Sequence, residues 1–222
     1  MHTEACIFDL DGVIVDTARY HFLAWKKLTD KLEVPFTEED NERLKGVSRM
    51  ASLEIILEIG NRKIDEDLKL EYATLKNKWY CDYISKMTPA EILPGSLLFI
   101  KELRTANIRI AIGSASKNTP VILERVGIKG LFDAVADGNI IINAKPDPEV
   151  FLKAAEMLDV KPDRCIVFED AVAGVLAALN AGMACVGVGS RKVLTKAHYV
   201  VQSLSEMNLT KLLTIERICG YE

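Results

Sequence analysis

The first apolar run, Ala5-Cys6-Ile7-Phe8, stops abruptly at Asp9-Leu10-Asp11-Gly12. A short apolar segment ending on paired acids predicts a buried strand with polar groups at its carboxyl end. A period of two would let Asp9 and Asp11 face the same way, but Gly12 permits a tight turn just after the second acid. Asp9 is then expected on the fixed strand end and Asp11 on a more mobile turn. After Thr17 the pattern becomes helical: His21, Trp25, Leu28 and Leu32 share a stripe that Val34-Pro35 ends. Thr37-Glu38-Glu39-Asp40 reads as a capping box opening a short polar helix. Ser48 is the expected N-cap of the next helix, with Leu53, Ile56 and Leu57 inward and Gly60 at its end. A longer helix capped by Asp65 carries Leu68, Tyr72, Leu75 and Trp79 in one stripe. From Asp16 to about Met87 the pattern predicts four helices and no strand.

Met87-Thr88-Pro89 and Leu93-Pro94-Gly95 read as a return linker and a turn. Beyond them strands and helices alternate. Helix 96–106 leads to strand 108–112, and a helix from Thr119-Pro120 to Gly127 leads to strand 134–136. A helix starting at Asp147-Pro148 precedes strand 164–168, which runs into Glu169-Asp170. Helix 171–181 stops at Gly182, strands follow at 184–188 and near 199–201, and a C-terminal helix completes the pattern. Such alternation implies right-handed crossovers and an α/β fold, a Rossmann-like parallel sheet with helices on both faces. The helical stretch interrupts it after the first strand, as a small all-helical cap over 16–91 inserted into a catalytic core of 1–15 and 92–222. Hinges are expected near 15–17 and 88–94, and the cap is expected to bury its stripes in a core of its own.

The 222 residues suffice for one large domain or a core with a smaller insert. A net charge of −4 provides no global field toward nucleic acid or an anionic membrane, so an anionic substrate must be held by a few local cations. Met1-His2-Thr3-Glu4 has no basic region leading into a signal-like stretch, and the apolar window 175–189 is broken by Asn180, Gly182 and Gly187. These features predict a cytoplasmic protein with neither nucleic-acid nor membrane partners, and the compact layout favours a monomer. The five cysteines, with no C-x-x-C, read as small hydrophobes rather than catalytic or metal-binding groups.

The chemistry lies where successive strands end. Asp9 and Asp11 follow the first strand, Ser114-Ala115-Ser116 the second, Lys145-Pro146 comes after the third, and Glu169-Asp170 closes the fourth. All are expected on one sheet edge. Carboxylates packed so closely repel one another and need a cation. An all-oxygen set without histidine or cysteine suits Mg2+. A metal and a lysine together would neutralise a phosphoryl group, with one aspartate as nucleophile and the other moving a proton.

In order, Phe8-Asp9-Leu10-Asp11-Gly12-Val13, Ser114, Lys145-Pro146 and Glu169-Asp170 resemble the four motifs of the haloacid dehalogenase superfamily of phosphotransferases, a match that spans the chain and includes the helical cap. Within that superfamily the chain is most similar to the mutases of β-glucose phosphates. Asp16-Thr17-x-x-x-His21, Lys45-Gly46-Val47-Ser48-Arg49, Ser114-Ala115-Ser116-Lys117-Asn118 and Lys76 carry this second resemblance. It implies Asp9 as nucleophile and Asp11 as general acid/base. It implies Mg2+ held by Asp9, Glu169, Asp170 and the carbonyl of Asp11, with Ser114 and Lys145 on the phosphoryl group being transferred. The implied contacts to the small-molecule sugar phosphate are Thr17, His21, Trp25, Lys45, Gly46, Val47, Arg49, Ser52, Lys76, Ser116, Lys117 and Asn118. The implied reaction is an isomerisation of β-D-glucose 1-phosphate and D-glucose 6-phosphate through β-glucose 1,6-bisphosphate, which also serves as activating phosphoryl donor.

Other readings stay open at this point. A sugar-phosphate phosphatase would use the same motifs with water in place of the sugar hydroxyl. A non-catalytic sensor would have no need of both Asp9 and Asp11. His21 lies on the stripe of Trp25 and Leu28 and so also reads as a core histidine, the Trp25 and Trp79 stripes read as packing, and a helical lysine such as Lys76 is ordinarily solvated. Asp147 reads as a helix cap. Arg49 at a helix start sits unfavourably against the helix dipole, which favours a phosphate-binding role, and its planar fork suits a distal clamp.

Overall fold

The computed structural model describes residues 3–219. Met1 and His2, where the expected core segment 1–15 begins, and residues 220–222, where the segment 92–222 ends, lie outside the described residues. Six strands are described: β1 (Ala5–Phe8), β2 (Arg109–Gly113), β3 (Ala134–Ala136), β4 (Cys165–Glu169), β5 (Ala184–Val188) and β6 (Tyr199–Val201). They form one parallel sheet in the order β3-β2-β1-β4-β5-β6. The strand order reverses between β1 and β4, and in open α/β sheets ligands bind beyond the carboxyl ends at that switch point. The acids of both β1 and β4 emerge there.

The strands are buried on both faces, as continuous apolar runs require. Cys6 and Phe8 face a cluster built with α5 (Ser96–Thr105), α6 (Thr119–Arg125) and α9 (Leu209–Ile218). Ala5 and Ile7 face a second cluster built with α7 (Glu149–Leu158) and α8 (Val172–Asn180). The register pairs Phe8 with Phe168, whose rings stack at 4.7 Å, and Phe99 meets both edge-on at 6.1 and 5.4 Å. Such pairs contribute about 0.5–1.5 kcal/mol beyond their area burial. They also fix the register in which Asp9 and Glu169 leave the sheet side by side.

Between β1 and β2 lie α1 (Ala18–Lys31), α2 (Glu38–Glu42), α3 (Arg49–Ile59) and α4 (Glu66–Ile84). The capping box at Thr37 and Asp40 and the N-caps Ser48 and Asp65 are present as hydrogen bonds. Helices α1, α3 and α4, with Phe36 and Leu44 on either side of α2, share a cluster that includes Trp25, Leu28, Leu53 and Ile56. That cluster is not self-contained, because Ala24, Tyr80, Ile84 and Met87 belong to the cluster that covers the sheet. The outgoing and returning segments run side by side, with Asp16 N donating to Glu91 O at 2.9 Å and Leu93 N to Ile14 O at 2.9 Å.

Two local expectations need correction. The apolar face of α4 is not Leu68, Tyr72, Leu75 and Trp79, which are all only partly buried; the buried face is Ala73, Lys76, Tyr80 and Ile84. A lysine inside an apolar stripe displaced the reading by one position. α1 stops at Lys31, ahead of Val34-Pro35, because Glu33 takes a left-handed φ of 53° and Val34 N reaches back to Thr29 O at 2.9 Å. That is a Schellman closure. α3 ends at Gly60 as expected, with Gly60 as its C-cap, and closes the same way, Asn61 being left-handed and Arg62 N bonded to Leu57 O at 2.8 Å.

Truncating Phe168 to Ala removes the centre of the aromatic stack. We expect a loss of about 3–5 kcal/mol in urea unfolding, the range for large aromatic truncations in a core; a loss below about 1 kcal/mol would show that the stack does not hold β1 and β4 in register.

Candidate active site

A cleft of about 880 Å3 opens between the carboxyl ends of the strands and the inserted helices. The residues singled out for metal, phosphoryl group and sugar phosphate all line it, from Asp9 and Asp11 on the sheet to Arg49, Ser52 and Lys76 on the helices.

On the sheet side, carboxylate oxygens of Asp9, Glu169 and Asp170 lie within 4.8 Å of one another. The Lys145 ammonium, 3% exposed, donates to Asp9 Oδ1 at 2.5 Å and to Glu169 Oε2 at 2.8 Å. Burial opposes its charge, but the two carboxylates outweigh burial and hold its pKa above the ordinary lysine value. One lysine does not neutralise the group. Burial, with the charge of Asp9 added, raises Glu169 to about 7 despite the Lys145 ion pair. Burial and the charges of Glu169 and Asp9 push Asp170 well above the usual carboxylate range. An all-oxygen set short of positive charge is what a divalent cation would complete, so Asp9, Glu169 and Asp170 fit a metal site.

Asp11 has a different environment. The loop from Leu10 turns back on itself, with Gly12 N donating to Val15 O at 2.8 Å. Gly12 has a φ of +88°, and a Cβ there would lie 2.2 Å from Asp170 Oδ2, so neither the turn nor the neighbouring carboxylate admits a side chain. The Asp11 carboxylate accepts a hydrogen bond from the Thr17 hydroxyl. Thr17 is the N-cap of α1, yet its side chain makes no capping bond. Burial, then the charge of Asp9, raises Asp11 to about 6, with the Thr17 bond opposing them. A carboxyl group near neutral pH can both give and take a proton. Two aspartates two residues apart thus have different chemistries.

The loop after β2 is tied by its own hydroxyls: Ser114 Oγ accepts from Ser116 N, and Ser116 Oγ from Asn118 N, both at 3.2 Å. Asn118 also meets the inserted helices, its amide donating to Asn77 Oδ1 at 3.1 Å and its carbonyl accepting from the Cys81 thiol at 3.5 Å. Asp147, at the far side of Lys145-Pro146, accepts from Glu149 N at 2.9 Å and so serves the start of α7.

The opposite wall is cationic. The turn holding Lys45, Gly46 and Val47 packs onto the start of α8, a Cβ at Gly46 lying 2.9 Å from Ala171 Cβ, while Lys45 pairs with Glu42 at 2.9 Å. Arg49, the first residue of α3, is half-buried and makes no hydrogen bond or ion pair among the described residues; burial pulls its pKa down. Lys76 is 2% exposed, which overturns the expectation of a solvated helical lysine. Its ammonium lies 3.0 Å from His21 Nδ1 and 4.5 and 4.8 Å from the ring centres of Trp25 and Tyr80. Burial, then the charge of Arg49, lowers Lys76 to about 7. Burial, then Lys76 and Arg49, lowers His21 well below its ordinary value. His21 is therefore neutral, and its Nδ1 accepts from Lys76, which has donors only. Trp25, 2% exposed, packs against that ammonium rather than standing as a free face.

Sequence reasoning missed Tyr80 and Asn77. Tyr80 is 1% exposed, lines the cleft, lies 4.1 Å from the His21 ring and keeps a hydroxyl with no hydrogen-bond partner among the described residues. Its position four residues after Lys76 was the one signal in the chain, and the displaced stripe hid it.

A parallel sheet with an acid-lysine centre at its switch point is the architecture of a phosphoryl-transfer enzyme. Residues 3–182 match the family model described as haloacid dehalogenase-like hydrolase, and the chain belongs to that family. It is 46% identical over 211 residues to the β-phosphoglucomutase of Bacillus subtilis, covering 94% of this chain and 93% of that protein. The crystal structure of β-phosphoglucomutase from Clostridium difficile superposes with a TM-score of 0.94 at 42% identity, over 99% of this chain and 100% of that one. A protein of Thermotoga maritima named phosphorylated carbohydrates phosphatase is 30% identical over 81% of this chain and 82% of its own length. Among the described residues no helix is long and apolar enough to cross a membrane.

The buried ammonium of Lys76 carries a stability cost whose pH range follows from its pKa. Between about pH 7 and 10.5 the unfolded chain binds a proton here that the folded chain does not, so the cost is fully present below pH 7 and fades as pH rises. Lys76→Met should raise unfolding stability at pH 7 by about 1–4 kcal/mol, and this advantage should shrink toward about pH 10; an advantage independent of pH would mean that folding leaves the pKa of Lys76 unchanged.

Proposed function

We propose that the chain is a β-phosphoglucomutase, an isomerase that interconverts β-D-glucose 1-phosphate and D-glucose 6-phosphate, working in the cytoplasm as a monomer. The observation that carries this reading is the polarity of the cleft: an acid-lysine centre on the sheet faces a second group of cations, Arg49 and Lys76, that no acid among the described residues hydrogen-bonds. A substrate phosphorylated at one end and then at both meets a partner on each wall. Identity of 46% across nearly the whole chain supports the same reading.

Asp9, Glu169 and Asp170, with the Asp11 carbonyl, would hold Mg2+, which when bound supplies positive charge to the phosphoryl group in flight. The chain's own residues do the rest. Asp9 carries the phosphoryl group as an aspartyl phosphate. The sugar 6-hydroxyl attacks phosphorus, the bond from phosphorus to the Asp9 oxygen breaks, and the hydroxyl proton passes to Asp11. The β-glucose 1,6-bisphosphate so formed turns end over end. Asp9 then attacks the 1-phosphate, the bond to the sugar oxygen breaks, and Asp11 returns its proton to that oxygen. Lys145, 2.5 Å from Asp9, neutralises charge as it develops, and Ser114 donates to the phosphoryl oxygens. His21 and Thr17 connect the inserted helices to Asp11. Arg49, Lys76, Ser116, Lys117 and Asn118 hold the distal phosphate and sugar, with Trp25, Lys45, Gly46, Val47 and Ser52 shaping the pocket. Residues 16–91 act as a cap that turns about 15–17 and 88–94 and keeps water from the aspartyl phosphate. β-Glucose 1,6-bisphosphate serves as the activating donor.

A phosphatase would need the same centre, but a second cationic wall and the higher identity to a mutase, 46% against 30% to a phosphatase, favour sugar over water as acceptor. The test is a product assay with Mg2+, β-glucose 1-phosphate and a catalytic amount of the bisphosphate. Glucose 6-phosphate should form far faster than free phosphate; free phosphate as the main product would make the protein a phosphatase. Asp9→Ala should abolish both products, and retained turnover would remove Asp9 from the nucleophile's role. Arg49→Ala should slow conversion of β-glucose 1-phosphate more than phosphorylation of Asp9 by acetyl phosphate, and equal losses would argue against a distal clamp.

A further inference from the structure

The loop 114–118 lines the cleft with one side and is fastened on the other by the turn that follows β3. Ser114 N donates to Ala136 O at 3.0 Å, and Gly138 N to Ser116 O at 3.2 Å. The Asn139 side-chain amide donates to the Lys117 carbonyl at 3.0 Å. The turn is closed by Asp137, which is 5% exposed and whose Oδ1 accepts from Asn139 N at 2.8 Å. No side chain fits at Gly138: a Cβ there would lie 2.4 Å from Ala115 O and 2.9 Å from Lys117 N. The Lys117 carbonyl is thus committed to the turn, and the Ser116 carbonyl is shared between Gly138 N and the Thr119 hydroxyl, which donates to it at 2.9 Å.

A trans peptide is planar, so its carbonyl and N–H point in opposite directions. Fastening the Ser116 carbonyl to Gly138 aims the Lys117 N–H away from the turn. Along the loop, the N–H groups of Ser116 and Asn118 are taken by the hydroxyls of Ser114 and Ser116. Those of Ala115 and Lys117 have no hydrogen-bond partner among the described residues, and both residues line the cleft.

We infer that Gly138 and Asn139, neither of which lines the cleft, are positioning residues for sugar-phosphate binding: they hold the Ser116 and Lys117 carbonyls so that the unpaired Lys117 N–H between them faces the phosphorylated ligand. This rests on the reading of residues 116–118 as sugar-phosphate contacts. It gives Gly138 and Asn139 a role in KM for the sugar phosphate and little role in phosphorylation of Asp9 by a small donor, which needs the centre built from β1, Ser114, Lys145 and β4 and not the 116–118 part of the loop.

The experiment compares the full-length protein with Asn139→Ala, Asn139→Asp, Gly138→Ala and Lys117→Ala. It measures kcat and KM for β-glucose 1-phosphate, the rate of Asp9 phosphorylation by acetyl phosphate, and the thermal midpoint. Asn139→Ala should raise KM about fivefold, the factor set by the net worth of one hydrogen bond. Asn139→Asp should do the same, because a carboxylate keeps the size but has no donor for the Lys117 carbonyl. The acetyl phosphate rate should change by less than about twofold, within the scatter of sites that do not touch the reacting atoms. Gly138→Ala should raise KM further, since the Ala115 carbonyl must move. The inference is overturned if Asn139→Asp keeps the parent KM, or if the Asn139 variants slow the acetyl phosphate step as much as they raise KM. If Lys117→Ala raises KM and Asn139→Ala does not, the inference fails while the reading of the loop stands. If neither raises KM, that reading fails and the inference falls with it.

Discussion

Lys145 is the contact on which the site depends. Its ammonium bridges Asp9 and Glu169 in a place almost closed to water. Buried charges are tolerated only when paired, and removing one partner leaves the other at a cost of several kcal/mol. The bridge therefore commits β1, β4 and the segment before α7 to one arrangement. It is incomplete as a neutral system, because Asp170 and Asp11 add carboxyl groups that Lys145 does not hydrogen-bond and whose pKa its charge lowers too little to offset burial. Burial raises the pKa of both and of Glu169, so the fold stores an unmet demand for positive charge at the edge where a phosphoryl group would arrive. The stacked rings of Phe8 and Phe168 beneath this edge contribute the stiffness that such an arrangement needs.

The inserted helices present the converse arrangement. Arg49 and Lys76 face the cleft with no acid hydrogen-bonding them among the described residues, and Lys76 is held by an imidazole and two aromatic faces instead. A buried lysine without a carboxylate is a costly choice for a small helical layer. The cost is intelligible if an anionic ligand completes the set, since binding then supplies the missing charge and draws the helices to the sheet. Asn118 already joins the two walls through Asn77 and Cys81. Acidic centre, cationic wall and the bridge between them form one electrostatic device rather than separate sites.

Much of this was legible in the residues in order. Helix starts were readable because capping is local: Thr37, Ser48 and Asp65 bond backbone groups only a few residues away. Strand ends were readable because an apolar run that halts at paired acids marks the place where a buried strand leaves the core. Helix ends were less so. Glu33 takes a left-handed backbone conformation that its residue type does not announce as glycine would, and the visible Pro35 drew the end of α1 away from it. The face of α4 was misjudged because period analysis treats lysine as solvent-facing, whereas here Lys76 and Tyr80 point inward together.

The linear order of residues was enough to establish the α/β class, the insertion after the first strand and the sheet edge on which the acids gather, because these follow from period, turn chemistry and crossover handedness, which are short-range rules. It could not establish what each acid experiences. Asp9 and Asp11 are separated by one residue, yet one is locked to a lysine 136 positions away and the other accepts from a threonine six positions away. Likewise Lys76 acquires its depressed pKa from burial and from the charge of Arg49, which the packing of α1, α3 and α4 imposes together. Protonation state depends on burial and on charges within a few ångströms, and those distances exist only once the chain has folded.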